Sequence, residues 1–201
     1  LPPYITRPRR AVAEQQRQLE RARYQTIYAR APGAIAAPTA GLHFSAALLR
    51  RLQTRGIEQV AVTLHVGPGT FQPVTTEKVA AHRMEAERYE ISAGAAQRIQ
   101  ATRQGAGRVI AVGSTVTRVL ETVVAANGDL RAAQGRSRLF IYPPYNFGVV
   151  QAMLTNFHLP QSTLLMMVSA FAGRDLIRHA YATAIREQYR FYSYGDCMLI
   201  L

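Results

Sequence analysis

LTNFHLPQSTLLMMVSAFAG, residues 154–173, decides how this chain is read. It opens with a polar cluster, Thr155, Asn156, His158, Gln161, Ser162 and Thr163, and runs directly into an apolar segment, residues 164–171. Pro160 pushes Leu159 out of the helical region, so the preceding extended piece ends there. Ser162 then stands where an N-cap is needed. The free N–H groups of such a helix start favour anions and ligand carboxylates. A plain core helix would not begin with so many groups that need hydrogen-bond partners.

Outward from this stretch, strand-like and helix-like segments alternate. The periodicity predicts a long helix over residues 11–29, a short amphipathic helix after Ser45 that ends at Gly56, and a buried strand over residues 57–66. A short helix over residues 76–81 and an extended piece, ERYEIS, come next. Residues 92–103 read as a helix, RVIAVG as a strand, and Ser114 as the cap of a helix over residues 115–126. LFIY and MLTNFHL read as strands, residues 162–172 and 175–189 as helices, and MLIL as a last strand. The pattern predicts one α/β domain of mainly parallel strands alternating with helices, a sheet or a distorted, incomplete (β/α) barrel. In such folds the ligand crevice lies at the carboxyl ends of the strands. His65, Ser114, Thr115, Tyr142, Asn156 and His158 all follow expected strands and are placed on one rim.

Composition bounds the rest. The 201 residues are 48% hydrophobic and 18% charged, which suits a packed globular chain. A single cysteine, Cys197, excludes an internal disulfide framework and fits a cytoplasmic setting. The longest apolar run, residues 164–172, is too short to span a bilayer, so no membrane partner is expected. The chain opens on Leu1 without a signal-peptide pattern and reads as the middle of something longer. The net charge is +12, and Lys78 is the one lysine. An arginine-rich surface suits bidentate phosphate contact, hence a polyanion such as RNA; a codon bias towards arginine gives the same balance.

Several motifs remain after the first. HVGPGTF, residues 65–71, lacks the G-x-G-x-x-G dinucleotide spacing; its glycines serve either a tight turn or a close backbone approach to a ligand. AVGSTVTR, residues 111–118, is strand, glycine, then hydroxyls at a helix start, a generic anion or nucleoside cradle. The histidines match no zinc spacing, so no metal is expected, and no G-x-S-x-G elbow supports a serine triad. HRMEAERYE, residues 82–90, clusters His82, Glu85 and Glu87, as acid/base groups or as a solvated face. YRFYSYGD, residues 189–196, mixes aromatics with Arg190 and Asp196, which suits base stacking or core closure.

Taken in order, LPPYI, RYQTIYA, GAIAAPTAGLHF, TLHVGPGTFQPV, HRMEAERYEI, RVIAVGSTVTRVLE, LFIYPPYNF, LTNFHLPQSTLLMMVSAFAG and AYATAIREQYRFYSYGDCMLI resemble the S-adenosylmethionine:tRNA ribosyltransferase-isomerase family of queuosine biosynthesis. The resemblance implies that residues 1–201 hold most of the family's α/β domain. The family's N-terminal segment and inserted β-barrel domain, which precede LPPYI, would then be missing. It implies a reaction that moves the ribosyl part of S-adenosylmethionine to the aminomethyl group of 7-aminomethyl-7-deazaguanine in tRNA. The ribose is isomerised to the epoxycyclopentane of epoxyqueuosine, and adenine and methionine leave. S-Adenosylmethionine is then a co-substrate, no cofactor is permanently bound, tRNA is the partner, and the protein is expected to be a monomer.

The implied chemistry starts by removing a proton beside the sulfonium, which makes a base necessary. His43, His65 and His158 are the candidates, each in a polar motif without other basic residues. Thr39, Gly41, Gly67, Gly69, Thr70, Ser114, Thr115 and Asn156 are expected to shape the pocket, and Arg118, Arg190 and Tyr194 to contact RNA. Three departures from the family pattern stand out: Glu85 where histidine is frequent, Pro144 for glycine, and Gln151 for aspartate. The competing readings are an inactive RNA-binding remnant of the same family and an ordinary methyl transferase. The missing glycine fingerprint and the series of motifs count against the last.

Overall fold

The computed structural model describes residues 14–67 and 73–201. Helix α1 (Glu14–Arg23) is followed by an irregular segment and a 3-10 turn, Thr39–His43; α2 (Ala46–Thr54) and strand β1 (Thr63–His65) come next. A second 3-10 turn, Val79–Ala81, leads to β2 (Glu87–Ile91), α3 (Ala93–Gln104), β3 (Ile110–Val112), α4 (Ser114–Asn127) and β4 (Ala133–Ser137). The chain then forms β5 (Ala152–Asn156), α5 (Thr163–Ala172), α6 (Arg174–Arg186) and β6 (Cys197–Ile200). LPPYI and the first residues of the expected opening helix lie outside the described residues.

Serine caps set three helix starts. Ser45, Ser92 and Ser162 each take the extended backbone of an N-cap, and each accepts a hydrogen bond from the amide three residues on. The helix after β3 differs from expectation. Ser114 is its first helical residue, and the cap position falls to Gly113, whose φ of +103° favours glycine and which offers no side-chain bond. α4 ends on Gly128 in the left-handed region, its N–H donating to the Val124 carbonyl.

The expected parallel sheet or barrel is not what forms. Among the described residues there are two three-stranded sheets, ordered β1-β2-β4 and β3-β5-β6. Only β3 and β5 pair in parallel; β1–β2, β2–β4 and β5–β6 are antiparallel. The reason lies in where α4 returns the chain: it delivers β4 to the first sheet instead of laying a parallel neighbour beside β3. The expected strand over residues 57–66 shortens to β1, and LFIY is irregular. Its apolar residues still pack, since Ile141 is buried in the second core, but the neighbouring AQGRS takes the pairing with β2.

Two apolar cores result. One gathers Ile91, Ala111, Val119, Leu120 and Val123 between α3, α4 and their strands; the other gathers Ile141, Met153, Met167, Val168 and Ile177 around β5, α5 and α6. Phe147 and Phe171 border both, their rings edge to face at 4.9 Å.

α4 also carries two buried charges. Arg118 pairs with Glu87 at the start of β2, both almost fully buried. Glu121 accepts hydrogen bonds from three successive amides, Gly148 at 2.7 Å and Val149 and Val150 at 3.0 Å each. Arg103 holds the same turn from outside by donating to the Gly148 carbonyl at 2.8 Å. This turn leads directly into β5 and so fixes the strand that ends at Asn156.

Candidate functional site

Side by side, β3 and β5 end on a cleft, and α4 begins at its floor. The cleft encloses about 70 Å³ and is lined by residues 36–40, 112–116, 155–159 and 192–193, together with Val66, Ser162 and Leu164. No Asp, Glu, Lys or Arg is among them. The first amides of α4 have no intrahelical partners by construction, and Gly113 provides no side-chain cap. The start of α4, with the buried hydroxyl residues Ser114 and Thr115, is therefore open to a ligand. The start of α5 differs in carrying a side-chain cap: Ser162 accepts from the Leu165 amide and donates to the Leu159 carbonyl at 2.7 Å, while the buried Thr163 hydroxyl has no partner.

Asn156 is the most constrained polar residue of the wall. Its Nδ2 donates to the Tyr192 carbonyl at 3.1 Å, lies 3.5 Å from the Gly195 carbonyl and meets His43 Nε2 at 3.3 Å. Two backbone acceptors fix the amide orientation, which makes His43 Nε2 an acceptor with the ring proton on Nδ1. Asn156 Oδ1 is buried and has no protein partner. An orphaned acceptor is costly in a folded chain, and this one belongs to a residue lining the cleft.

The turn that presents Tyr192 is tight. Asp196 Oδ2 accepts from the Arg190 amide and the Asp196 amide donates to the Arg190 carbonyl, both at 2.7 Å. A Cβ on Gly195 would lie 2.4 Å from backbone atoms of Arg190 and Phe191, so only glycine fits there. The Arg190 amide, and then the guanidinium, hold the Asp196 carboxyl below its ordinary value.

The two histidines near Asn156 are tuned differently. Burial lowers His43, and the nearby Asp196 charge offsets part of that shift. His158 is pushed down to about 4 by burial; part of its edge remains accessible, but protein packs around the ring. Its Nε2 shares a hydrogen with Thr155 Oγ1 at 2.9 Å, and its backbone N–H donates to the Tyr181 hydroxyl at 2.8 Å. Burial raises that phenol to about 12, the His158 bond opposing the shift. His158 is thus neutral at physiological pH, and no bond among the described residues engages its Nδ1.

The depressed His158 value has a thermodynamic signature. Its ordinary pKa is 6.5, so in acid the unfolded chain takes a proton that the folded chain refuses. Stability is full above pH 6.5 and falls as the pH drops towards about 4, a loss on the order of 3 kcal/mol. Urea midpoints measured across this window should decline in the wild type and less steeply in His158→Gln. A wild-type profile flat down to pH 4.5 contradicts this account.

Of the residues expected from sequence, Thr39, Ser114, Thr115, Asn156 and His158 line the cleft, and His43 stands behind Asn156. Gly41 lies in the 3-10 turn, where a Cβ would come 2.1 Å from the Tyr28 hydroxyl and 2.6 Å from Thr26; its need is close packing. His65, at the end of β1, packs against Gly33 outside the cleft lining, and Gly67 sits nearer Glu85. Gly69 and Thr70 lie outside the described residues. Tyr142 packs against Phe140, the rings tilted with centroids 4.9 Å apart, and is not among the cleft lining.

Arg118 is corrected: buried against Glu87, it presents no group to RNA at the surface. Arg190 is exposed beside Asp196, and Tyr194 is exposed with its ring 5.7 Å from that of Tyr24. Asp196, Tyr181 and Glu121 went unnoticed in these roles. Asp196 had a signal in YRFYSYGD; the other two lie on amphipathic helices and carry none.

Among the described residues, then, this is a mixed α/β fold with a cleft at the ends of β3 and β5 that carries no charged lining residue and is floored by a helix start without a side-chain cap. The comparisons with known proteins narrow that class. The chain belongs to the queuosine biosynthesis protein family, whose model matches residues 1–200. It is 55% identical over 200 residues to the S-adenosylmethionine:tRNA ribosyltransferase-isomerase of Pelobacter propionicus, covering 100% of this chain and 56% of the relative. Against the enzyme of that name from Syntrophus aciditrophicus it is 56% identical over 201 residues, covering 100% of this chain and 54% of the relative. The crystal structure of S-adenosylmethionine tRNA ribosyltransferase from Thermotoga maritima matches with a TM-score of 0.68 and 41% identity, over 81% of this chain and 51% of that one. The chain spans about half the length of the curated relatives it matches. No helix among the described residues is long and apolar enough to cross a membrane.

Proposed function

We propose that the cleft holds S-adenosylmethionine for ribosyl transfer and isomerisation onto 7-aminomethyl-7-deazaguanine in tRNA, with release of adenine and methionine. The observation that carries this reading is an uncharged wall in which Asn156 Oδ1 lacks a partner beside the uncapped start of α4. A sulfonium ligand is cationic at sulfur and zwitterionic at its amino-acid end. Its carboxylate suits the free amides of α4. Neutral imidazoles at His43 and His158 add no repulsion to the sulfonium.

The chemistry needs a base for the carbon beside the sulfonium. His158 lines the cleft; in the tautomer whose Nε2–H donates to Thr155 Oγ1, Nδ1 is the nitrogen that takes the proton. His43 then acts through Asn156, holding its amide in place. The aminomethyl group of the RNA base must arrive neutral to attack, and a cleft without acidic groups favours its neutral form.

Incubating the protein with S-adenosylmethionine and tRNA bearing the deazaguanine precursor tests the reading. Adenine and methionine should appear together. S-Adenosylhomocysteine instead indicates methyl transfer, and tRNA binding without turnover favours an inactive RNA-binding remnant.

A further inference from the structure

The sheet β1-β2-β4 has one face on the first core and the other in solvent. Glu87 and Ile91 are buried and Tyr89 is half-buried against that core; strand alternation sends Arg88 and Glu90 outwards, where both are exposed. The register sets three basic side chains in one row, because His65 pairs with Arg88 and Arg88 with Arg136. Arg138, two residues beyond Arg136, is exposed just past the end of β4. The one acid on this face of the three strands, Glu90, stands opposite Gln134. No ion pair among the described residues engages Arg88, Arg136 or Arg138. Like charges directly opposite on antiparallel strands repel, and folding alone gives no reason to place two arginines so. An anion bridging both guanidiniums relieves that repulsion.

We propose that this face, through Arg88, Arg136 and Arg138, binds the phosphodiester backbone of the RNA substrate. The proposal rests on the reading of the chain as a tRNA-modifying protein. The row is well placed for that partner. It starts at His65, whose Nδ1 would lie 2.8 Å from a Cβ on Gly33, and the next residue, Val66, lines the cleft. From there the row leads away by one strand spacing at a time, about 4.8 Å each. The link between row and cleft is the adjacency of His65, the last residue of β1, to Val66. Guanidinium forks match phosphate oxygens, which favours RNA over an acidic protein, and the net charge of +12 supports the same partner.

The test is a salt titration of the affinity for an unmodified tRNA transcript, run beside calorimetry with S-adenosylmethionine. Arg88→Gln combined with Arg136→Gln should weaken tRNA binding about tenfold near physiological salt. It should also flatten the slope of log K against log salt by about 1.5, the loss of two phosphate contacts. Affinity for S-adenosylmethionine should not change. An unaltered slope overturns the proposal. So does an equal loss from Arg50→Gln combined with Arg55→Gln, exposed residues at α2, since that marks a general charge effect. Polyglutamate binding as tightly as tRNA, with the same response to the variants, would put an acidic protein in its place. Wild-type protein that binds no tRNA at low salt also overturns this surface. The reading of the cleft stands or falls separately, on S-adenosylmethionine binding.

Discussion

Ribosyl transfer by His158→Ala is expected to fall at least about 100-fold, the lower range for loss of a positioned general base. The fold should survive. The ring is neutral at pH 7, and its removal leaves one unpaired partner, Thr155 Oγ1, beside a small cavity. That costs about 1–3 kcal/mol, which a urea melt resolves from global unfolding. Calorimetric affinity for S-adenosylmethionine should change less than turnover, because a base acts in the transition state and the proposed carboxylate contacts at α4 are untouched. Near-normal turnover by this variant removes His158 from the mechanism. In that event His43→Ala is the next measurement, since Asp196 offsets part of the loss of basicity in that ring.

The largest expected effect on stability comes from Glu121. Its carboxylate is 2% exposed and accepts from three backbone amides. Glu121→Leu keeps apolar bulk but strands all three donors and should cost about 3–5 kcal/mol. Glu121→Gln is milder. With its oxygen on Val149 and Val150 it keeps two bonds and turns a donor towards the Gly148 amide, a loss of about 1–3 kcal/mol. The two urea midpoints should therefore fall in graded order below wild type. Equal stability of Glu121→Leu and wild type would falsify the role assigned to this carboxylate. Because the 148–150 turn feeds β5, the leucine variant should also weaken binding at Asn156.

Much of the local structure was legible because it rests on short-range chemistry. Ser45 and Ser162 announce helix starts, and their hydroxyls accept where expected. Asn156 and His158 stood out as polar groups at a strand end, and both line the cleft. What the sequence hides is pairing over distance. AQGRS has no apolar period, yet it is a full partner of β2 along its length. LFIY has the composition of a strand and supplies a core residue without becoming one. Alternation of strands and helices does not state direction, so the antiparallel return of β6 onto β5 could not be read. Arg118 and Glu121 show the same limit for charge: on a helix each reads as solvent-facing, and only its partner, 31 and at least 27 positions away, reveals the burial.

The edge-to-face pair of Phe147 and Phe171 packs against both apolar cores and so joins them. In the language of hydrogen exchange, two cores joined at one aromatic contact are expected to open as two cooperative units. The start of α4 belongs to one and the α5 side of the wall to the other. A molecule held by both walls is then expected to work as a clasp, slowing amide exchange in both units.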